Sequence, residues 1–468
     1  MIFIATEKTA DRSDMSTGPI LNKLLLLAAP MMGTQLVQML YNLTDMFWVG
    51  RLGSNEVAAT GATGMYIWLS VAFMLFGSLG ASIGVSQSIG RGDLGKAESF
   101  ARTALALALA FGLVCGLVMF VFKSPMVAFF AFKEEDVSEH ARRYLAIVAA
   151  SVPFSYVSAS LASVFNASGR SKVPLACSLV GTGLNVILDP IFIIVLGLGV
   201  SGAAIATVIG NAVGAALLLF CLKRSKSRPF ENFKIFKKLD FKDVRQILKW
   251  AAPVCLESFL FTSLAMITSR REASFGADAM AVSRVGSQIE SLTWLVGASF
   301  GTALTAFAGQ NYGAGKWDRI HKAFKISSVG MAAYGLFVSS VLVFAGRFLF
   351  TLFLPDSGLE DLSSKYLSII AICQVPVCME ATASSMFRGL GRTLPPSIVN
   401  TTCNIIRVPL CYLLSMTSLG LVGVWAGISF AACLKGAWSY PWFFLSRKRL
   451  QRENPLGLKA PDPEPVSV

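Results

Sequence analysis

The sequence predicts an all-α polytopic membrane protein: twelve transmembrane helices in two six-helix lobes, related by a pseudo-twofold axis along the membrane normal. Three observations carry that prediction. The 468 residues are 54% hydrophobic and 15% charged, with a mean hydropathy of +0.62, outside the range of ordinary soluble domains. Apolar runs of membrane length recur from end to end. The second half also repeats the first at an offset of about 223 residues.

Taken in order, the first span covers 24–50, and its only charge is Asp45. As a helix that run is roughly 40 Å long, enough to cross a bilayer with some tilt. Charged or Gly-rich punctuation then separates spans near 57–79, 100–122, 141–165, 174–195 and 201–222. The second half offers 249–269, 279–306, 323–345, 366–387, 395–417 and 421–445. Gly77, Gly80 and Gly84 read as a close helix-packing face. The RGD of "GRGDLGKA" (90–97) reads as a helix-cap turn, not as an adhesion motif.

The stretch 223–249 is the longest polar segment between spans and holds ten basic residues. A solvated linker resting on anionic lipid accounts for it better than a nucleic-acid patch. The expected organisation is therefore a tail (1–23), an N-lobe (24–222), a basic linker (223–248), a C-lobe (249–445) and a second tail (446–468). Lys and Arg at or between span ends divide 29 to 9 in favour of the side bearing both termini, which places the termini in the cytoplasm. "MSTGPILNKLLLLAAP", from Met15, reads as an ordinary cytoplasmic lead-in, and no signal-peptide pattern precedes it.

The repeat is specific. "AAP" recurs at 28–30 and 251–253, and "GRGDLGKA" (90–97) meets "GAGKWDRI" (313–320). "VFNASGRSKVP" (164–174) meets "MFRGLGRTLPP" (386–396), and "NVILDP" (185–190) meets "NIIRVP" (404–409). "LGSNEVAA" (52–59) pairs with "FGADAMAV" (275–282), and "LGVSGAAIA" (198–206) with "LGLVGVWAG" (419–427). An even number of spans per half gives both halves one orientation. Parallel repeats of that kind build transporters whose substrate site lies near the midplane between the halves. The nine cysteines lie in or beside apolar runs without metal-ligand spacing, and read as small buried hydrophobes. No phosphate-cradling GxxxxGK[ST] is present, which argues against ATP-driven transport.

Asp45 sits badly in such a chain, since a carboxylate facing lipid near mid-helix costs about 2.5–3.5 kcal/mol. Thr34, Gln38, Asn42 and Asp45 fall on one narrow helical face, which should point into the bundle or a wet cavity. Asn185 and Asp189 are stacked one turn apart, Pro190 kinks the same helix, and Thr207 adds a hydroxyl in span 6. These groups either hydrogen-bond one another as glue or form a site. Two buried acids side by side resist double ionisation, so they suit a proton or a hard cation bound through oxygens. In the second half, Glu257, Glu290 and Glu380 with Arg284 and Arg407 form either structural ion pairs or a substrate or second coupling site. Asp45 aligns with Thr268 and Asp189 with Val408, so the second half lacks the first half's acids.

Pro30 with Asp45, "RLGSNEVAA", "GRGDLGKA", "AFAGQNYGAGKWDRI" (306–320) and "RGLGRT" together resemble the multidrug and toxic compound extrusion (MATE) family along the full length. The resemblance is to its bacterial, DinF-like branch. It implies an antiporter of a bacterial inner membrane that expels small organic, often cationic compounds in exchange for H⁺ or Na⁺. Two rocking lobes would do this as a monomer without a cofactor. It places cation coupling at Asp45, Asn185, Asp189 and Thr207, where Na⁺ is the one metal to be expected. The rival readings are a lipid-linked oligosaccharide flippase of the same superfamily and an intramembrane prenyltransferase-type enzyme. Acids outnumber bases inside the spans, against the first; no DxxxD pair lies near a loop, against the second.

Overall fold

The computed structural model describes residues 14–130, 132, 134–224, 229–230, 233, 237–353 and 358–454, side chains at 54, 277 and 292 excepted. Among them are twelve helices long and apolar enough to cross a membrane. The first six are α1 (Ile20–Gly50), α2 (Asn55–Gly90), α3 (Leu94–Val121), α4 (Glu135–Ala167), α5 (Lys172–Val195) and α6 (Val200–Arg224). The second six are α7 (Phe241–Ala273), α8 (Asp278–Gly313), α9 (Trp317–Phe344), α10 (Glu360–Gly389), α11 (Leu394–Ser415) and α12 (Leu421–Glu453).

Packing repeats as the sequence does. α2, α3 and α4 pack together as α8 and α9 do with α10, and α5 lies against α1 and α6 as α11 lies against α7 and α12. Prolines recur at matching depths: Pro30 in α1 and Pro253 in α7, Pro190 in α5 and Pro409 in α11. After Pro190 the helix widens to a π-turn over Ile191–Val195, the relaxation expected where a ring removes one N–H from the ladder. The glycine face is used as read. A Cβ on Gly77 would lie 2.6 Å from that of Ala108, and one on Gly80 would lie 2.5 Å from Ile247. Asp93 caps α3 by accepting from the Lys96 N–H.

Several helices outrun the expected spans. α2 and α8 continue to Gly90 and Gly313, through "SQSIG" and "AGQNYG". Those polar letters look like loops, yet Ser86, Gln87, Gln310 and Asn311 are buried because the opposite lobe covers them. α7 begins at Phe241, inside the stretch read as linker, because Asp240 caps it. Lys96 of α3 then pairs with Asp243 at 2.7 Å and Asp240 at 3.2 Å. The Lys242 N–H and Lys96 hold the Asp240 carboxyl below the usual carboxylate range. α12 likewise runs on to Glu453, past the boundary expected at 445.

The lobes join on the side that carries the termini, and the junction is itself twofold. Gln87 Nε2 donates to Gly389 O at 2.9 Å, and Gln310 Nε2 donates to Ala167 O at 2.8 Å. Gly90 and Gly313 bring the backbones together: a Cβ on either would lie 2.0 Å from a carbonyl oxygen of Gln310 or Gln87. The segment before α1 straps across, with Gln310 Oε1 accepting from the Met15 N–H and Lys316 and Arg319 holding carbonyls of Ser16 and Gly18. The deepest inter-lobe hydrogen bond among the described residues is from Cys255 Sγ to Ala72 O. Beyond it the far ends of the central helices expose large apolar side chains, among them Phe47, Trp68, Met266 and Trp294. The inter-lobe hydrogen bonds among the described residues thus shut one end and leave the other without any.

Candidate functional site in the N-lobe

The ends of α1, α4, α5 and α6 away from the junction enclose the site. α1 presents Tyr41 and Asp45 one turn apart, and α5 presents Asn185 and Asp189 one turn apart. Tyr41 OH meets Thr207 Oγ1 of α6 at 2.9 Å. Asn185 Nδ2 donates to Asp189 Oδ1 at 3.4 Å. Asn185, Asp189 and Thr207 are all buried, with Asp189 wholly inaccessible. Tyr144 of α4, also buried, lies within electrostatic reach of Tyr41, Asp45 and Asp189. The structure thus brings together all four residues singled out for cation coupling.

What remains unsatisfied is informative. Asp45 Oδ1, Asn185 Oδ1 and Asp189 Oδ2 are buried without hydrogen-bond partners. The ion pairs among the described residues all lie elsewhere. The charge that reaches Asp189 is that of Asp45. Two acids facing each other with orphan oxygens form an expensive arrangement unless a proton or cation enters it. Carboxylate, amide and hydroxyl oxygens suit either. Among the described residues no group of three or more His, Cys, Asp or Glu could hold a metal ion.

The rest of the expected polar face stays out of the cluster. Thr34 turns its hydroxyl back to Pro30 O, and Gln38 and Asn42 are exposed. At 1.5 Å per residue, Gln38 and Thr34 sit about 10 and 16 Å below Asp45 along α1, beneath the pocket. The contacts to Thr207 come instead from Tyr41. Its signal was present, since it stands four residues before Asp45; Tyr144, on a distant amphipathic helix, gave none.

The C-lobe residues separate into groups. Glu257 accepts from Ser397 Oγ at 2.7 Å and from Asn400 Nδ2 at 2.8 Å, with Arg388 at 3.6 Å. Asn400 Nδ2 also reaches Glu380 Oε1 at 3.0 Å, joining those two acids. Glu290 stands apart, bonded to Trp294 Nε1 at 3.1 Å and near Gln374. Arg284 is exposed, with no ion pair among the described residues. Arg407 is buried within electrostatic reach of Glu272, an acid not singled out from the sequence, instead of Glu257, Glu290 or Glu380. Glu272 closes α7 beyond the expected span, which hid it.

The sequence profile of the MatE family matches residues 30–191 and 253–413, one stretch in each half. A probable multidrug resistance protein NorM of Thermotoga maritima is 25% identical over 446 residues, 92% of this chain and 93% of that one. Multidrug resistance protein PmpM of Pseudomonas aeruginosa is 24% identical over 460 residues, 93% of this chain and 94% of that one. Two solved structures share the fold over 95% of this chain at 23% identity. One is MATE in its bent conformation, with TM-score 0.89 and 99% of its chain covered. The other is an outward-facing multidrug resistance MATE family transporter, with TM-score 0.88 and 100% covered.

Proposed function

Because the chain belongs to the MatE family of transporters, we propose that it is a secondary active antiporter that exports small organic, often cationic compounds in exchange for H⁺ or Na⁺. Relatives named as multidrug resistance proteins support export over the flippase and enzyme readings. The observation that carries the coupling role is the pair Asp45 and Asp189, each with a buried orphan oxygen and without an ion-pair partner among the described residues. The coupling ion enters there, and H⁺ is favoured over Na⁺ because the close acids resist double ionisation. With the termini in the cytoplasm, as the Lys and Arg distribution argues, the end away from the junction faces outward. Rocking about the twofold junction would then expose the chamber alternately. Glu257 and Glu380, joined through Asn400, are a second candidate acid site.

The test is efflux from proteoliposomes under imposed H⁺ or Na⁺ gradients, read with a panel of dye cations. Gradient-driven efflux is expected in the wild type and lost in Asp45→Asn at unchanged expression. Wild-type-like efflux by Asp45→Asn would refute the assignment, and loss of all transport on removing Na⁺ would refute the proton.

A further inference from the structure

The C-lobe repeats the N-lobe pocket between α7, α11 and α12, but two cations occupy it. Arg407 of α11 lies 5.4 Å from the ring centre of Phe261 on α7, and Lys435 Nζ of α12 lies 5.5 Å from the same ring. Arg407 is only 8% exposed, and its Nε and one Nη are buried without hydrogen-bond partners. Neither cation has an ion pair within 4 Å among the described residues. The repeat-related residue for Arg407 is Leu188, so this charge has no counterpart in the first half.

Resident acids reach the pair only through space. Glu272 is within reach of Arg407, and Glu380 and Glu257 within reach of Lys435. Yet none forms an ion pair with either cation: Glu257 accepts from Ser397 and Asn400 and pairs with Arg388 at 3.6 Å, Glu380 accepts from Ser384 and Asn400, and Glu272 stands beside Ser283 and Trp425. A buried guanidinium with idle N–H groups beside a second cation is costly on its own. An anion received between them offsets that cost. Phe261 and its neighbour Trp294, 6.5 Å away and half exposed, offer aromatic faces next to the charges.

We propose that Arg407, Lys435, Phe261 and Trp294 form a binding site for an organic anion: a carboxylate or phosphate-type group carried on an aromatic or apolar body. This rests on the export reading and deepens it, widening the cargo from cations to anionic and zwitterionic compounds. The site takes the anionic group on the idle Arg407 N–H groups and Lys435, and the apolar body on the two rings.

The experiment is equilibrium dialysis of the purified full chain in nanodiscs with 1-naphthoate, and with 1-naphthylmethylammonium as its cationic match. Naphthoate should bind the wild type, and Arg407→Met and Lys435→Met should each weaken it by about tenfold, the worth of one charged hydrogen bond. Arg407→Lys should recover part of that loss, and naphthylmethylammonium should not follow the same pattern. If Arg407→Met melts early, Lys435→Met gives the same reading. Repeating the series in phosphatidylcholine discs with and without phosphatidylglycerol separates cargo from lipid. Displacement of naphthoate by phosphatidylglycerol, with no binding left in lipid-matched discs, would overturn the cargo assignment. Equal naphthoate binding by the wild type and the double variant would overturn the site itself. Binding is read without a gradient, so its absence overturns this pocket whatever efflux does. Intact binding without gradient-driven efflux would instead overturn the antiport reading.

Discussion

The pocket of α1, α4, α5 and α6 and its repeat in α7, α10, α11 and α12 share a backbone plan, but where the first sets only acids the second adds the cations Arg407 and Lys435. Both keep a buried asparagine, Asn185 and Asn404, each with an orphan Oδ1. Around it the first lobe sets Asp45 and Asp189, where the second has Thr268 and Val408 and adds Arg407. In the first lobe the idle groups are carboxylate oxygens that call for a proton or cation; in the second they are guanidinium N–H groups that call for an anion. A duplicated unit has kept its helix packing while its two polar centres diverged, because packing depends on small and apolar residues that the charge swap leaves alone.

The sharpest way to break this contrast is to remove the first lobe's acids. Asp45→Asn and Asp189→Asn are each expected to abolish gradient-driven efflux, and the double variant should be no worse than either, as for residues acting as one unit. Multiplicative defects in the efflux assay would show two separate sites. In the second lobe the matching change should act on stability instead. Glu272→Gln leaves the buried Arg407 charge less compensated, at a cost of up to about 3 kcal/mol. Thermal melting in detergent should therefore fall while gradient coupling persists. Loss of coupling with unchanged melting would erase the distinction between the lobes.

Smaller effects test the two ends of the molecule. Gln87→Ala removes one of two twofold-related hydrogen bonds at the shut end, worth about 1 kcal/mol or roughly a fivefold shift between lobe states. Cysteine labelling of α2 and α8 near the junction should speed accordingly, and an unchanged rate would remove Gln87 from the closure. Thr207→Ala should do least, shifting the pH optimum through its partner Tyr41 while transport in Na⁺-free buffer persists. Orientation has its own check: cysteines at Ser227 and Asp356, both outside the described residues, should react with impermeant thiol reagents from the cytoplasm and from outside respectively. Reversed labelling would invert the outward assignment.

The twelve spans, the two halves and the acidic cluster were legible because each leaves a local mark: an apolar run, a repeated string, a lone carboxylate in a greasy helix. The ends of α2 and α8 were not legible. Ser86, Gln87, Gln310 and Asn311 look like loop residues until the other lobe is there to bury them. Glu272 and Arg407 stand far apart in sequence, and helical spacing fixes no partner between helices. Tyr144 came into the cluster only through the packing of α4 on α6.

The first turns of α1 and α7 have a consequence for the chain cut in two. Leu24, Leu27, Ala28 and Met31 of α1, with Met15 before it, lie in a core made mainly by α8, α9, α10 and α12. Ile247 and Trp250 of α7, the repeat partners of Leu24 and Leu27, lie in a core made mainly by α2, α3, α4 and α6, with Cys177 of α5 and Phe230 and Phe233. Each half lends the first turns of its leading helix to the other, as swapped protomers exchange an element. A six-helix half expressed alone therefore carries both an orphaned apolar end and an unfilled socket. It should be rescued by its complement supplied as a separate polypeptide. The same exchange would let two identical six-helix chains, facing the same way, hold each other by their first turns without any linker.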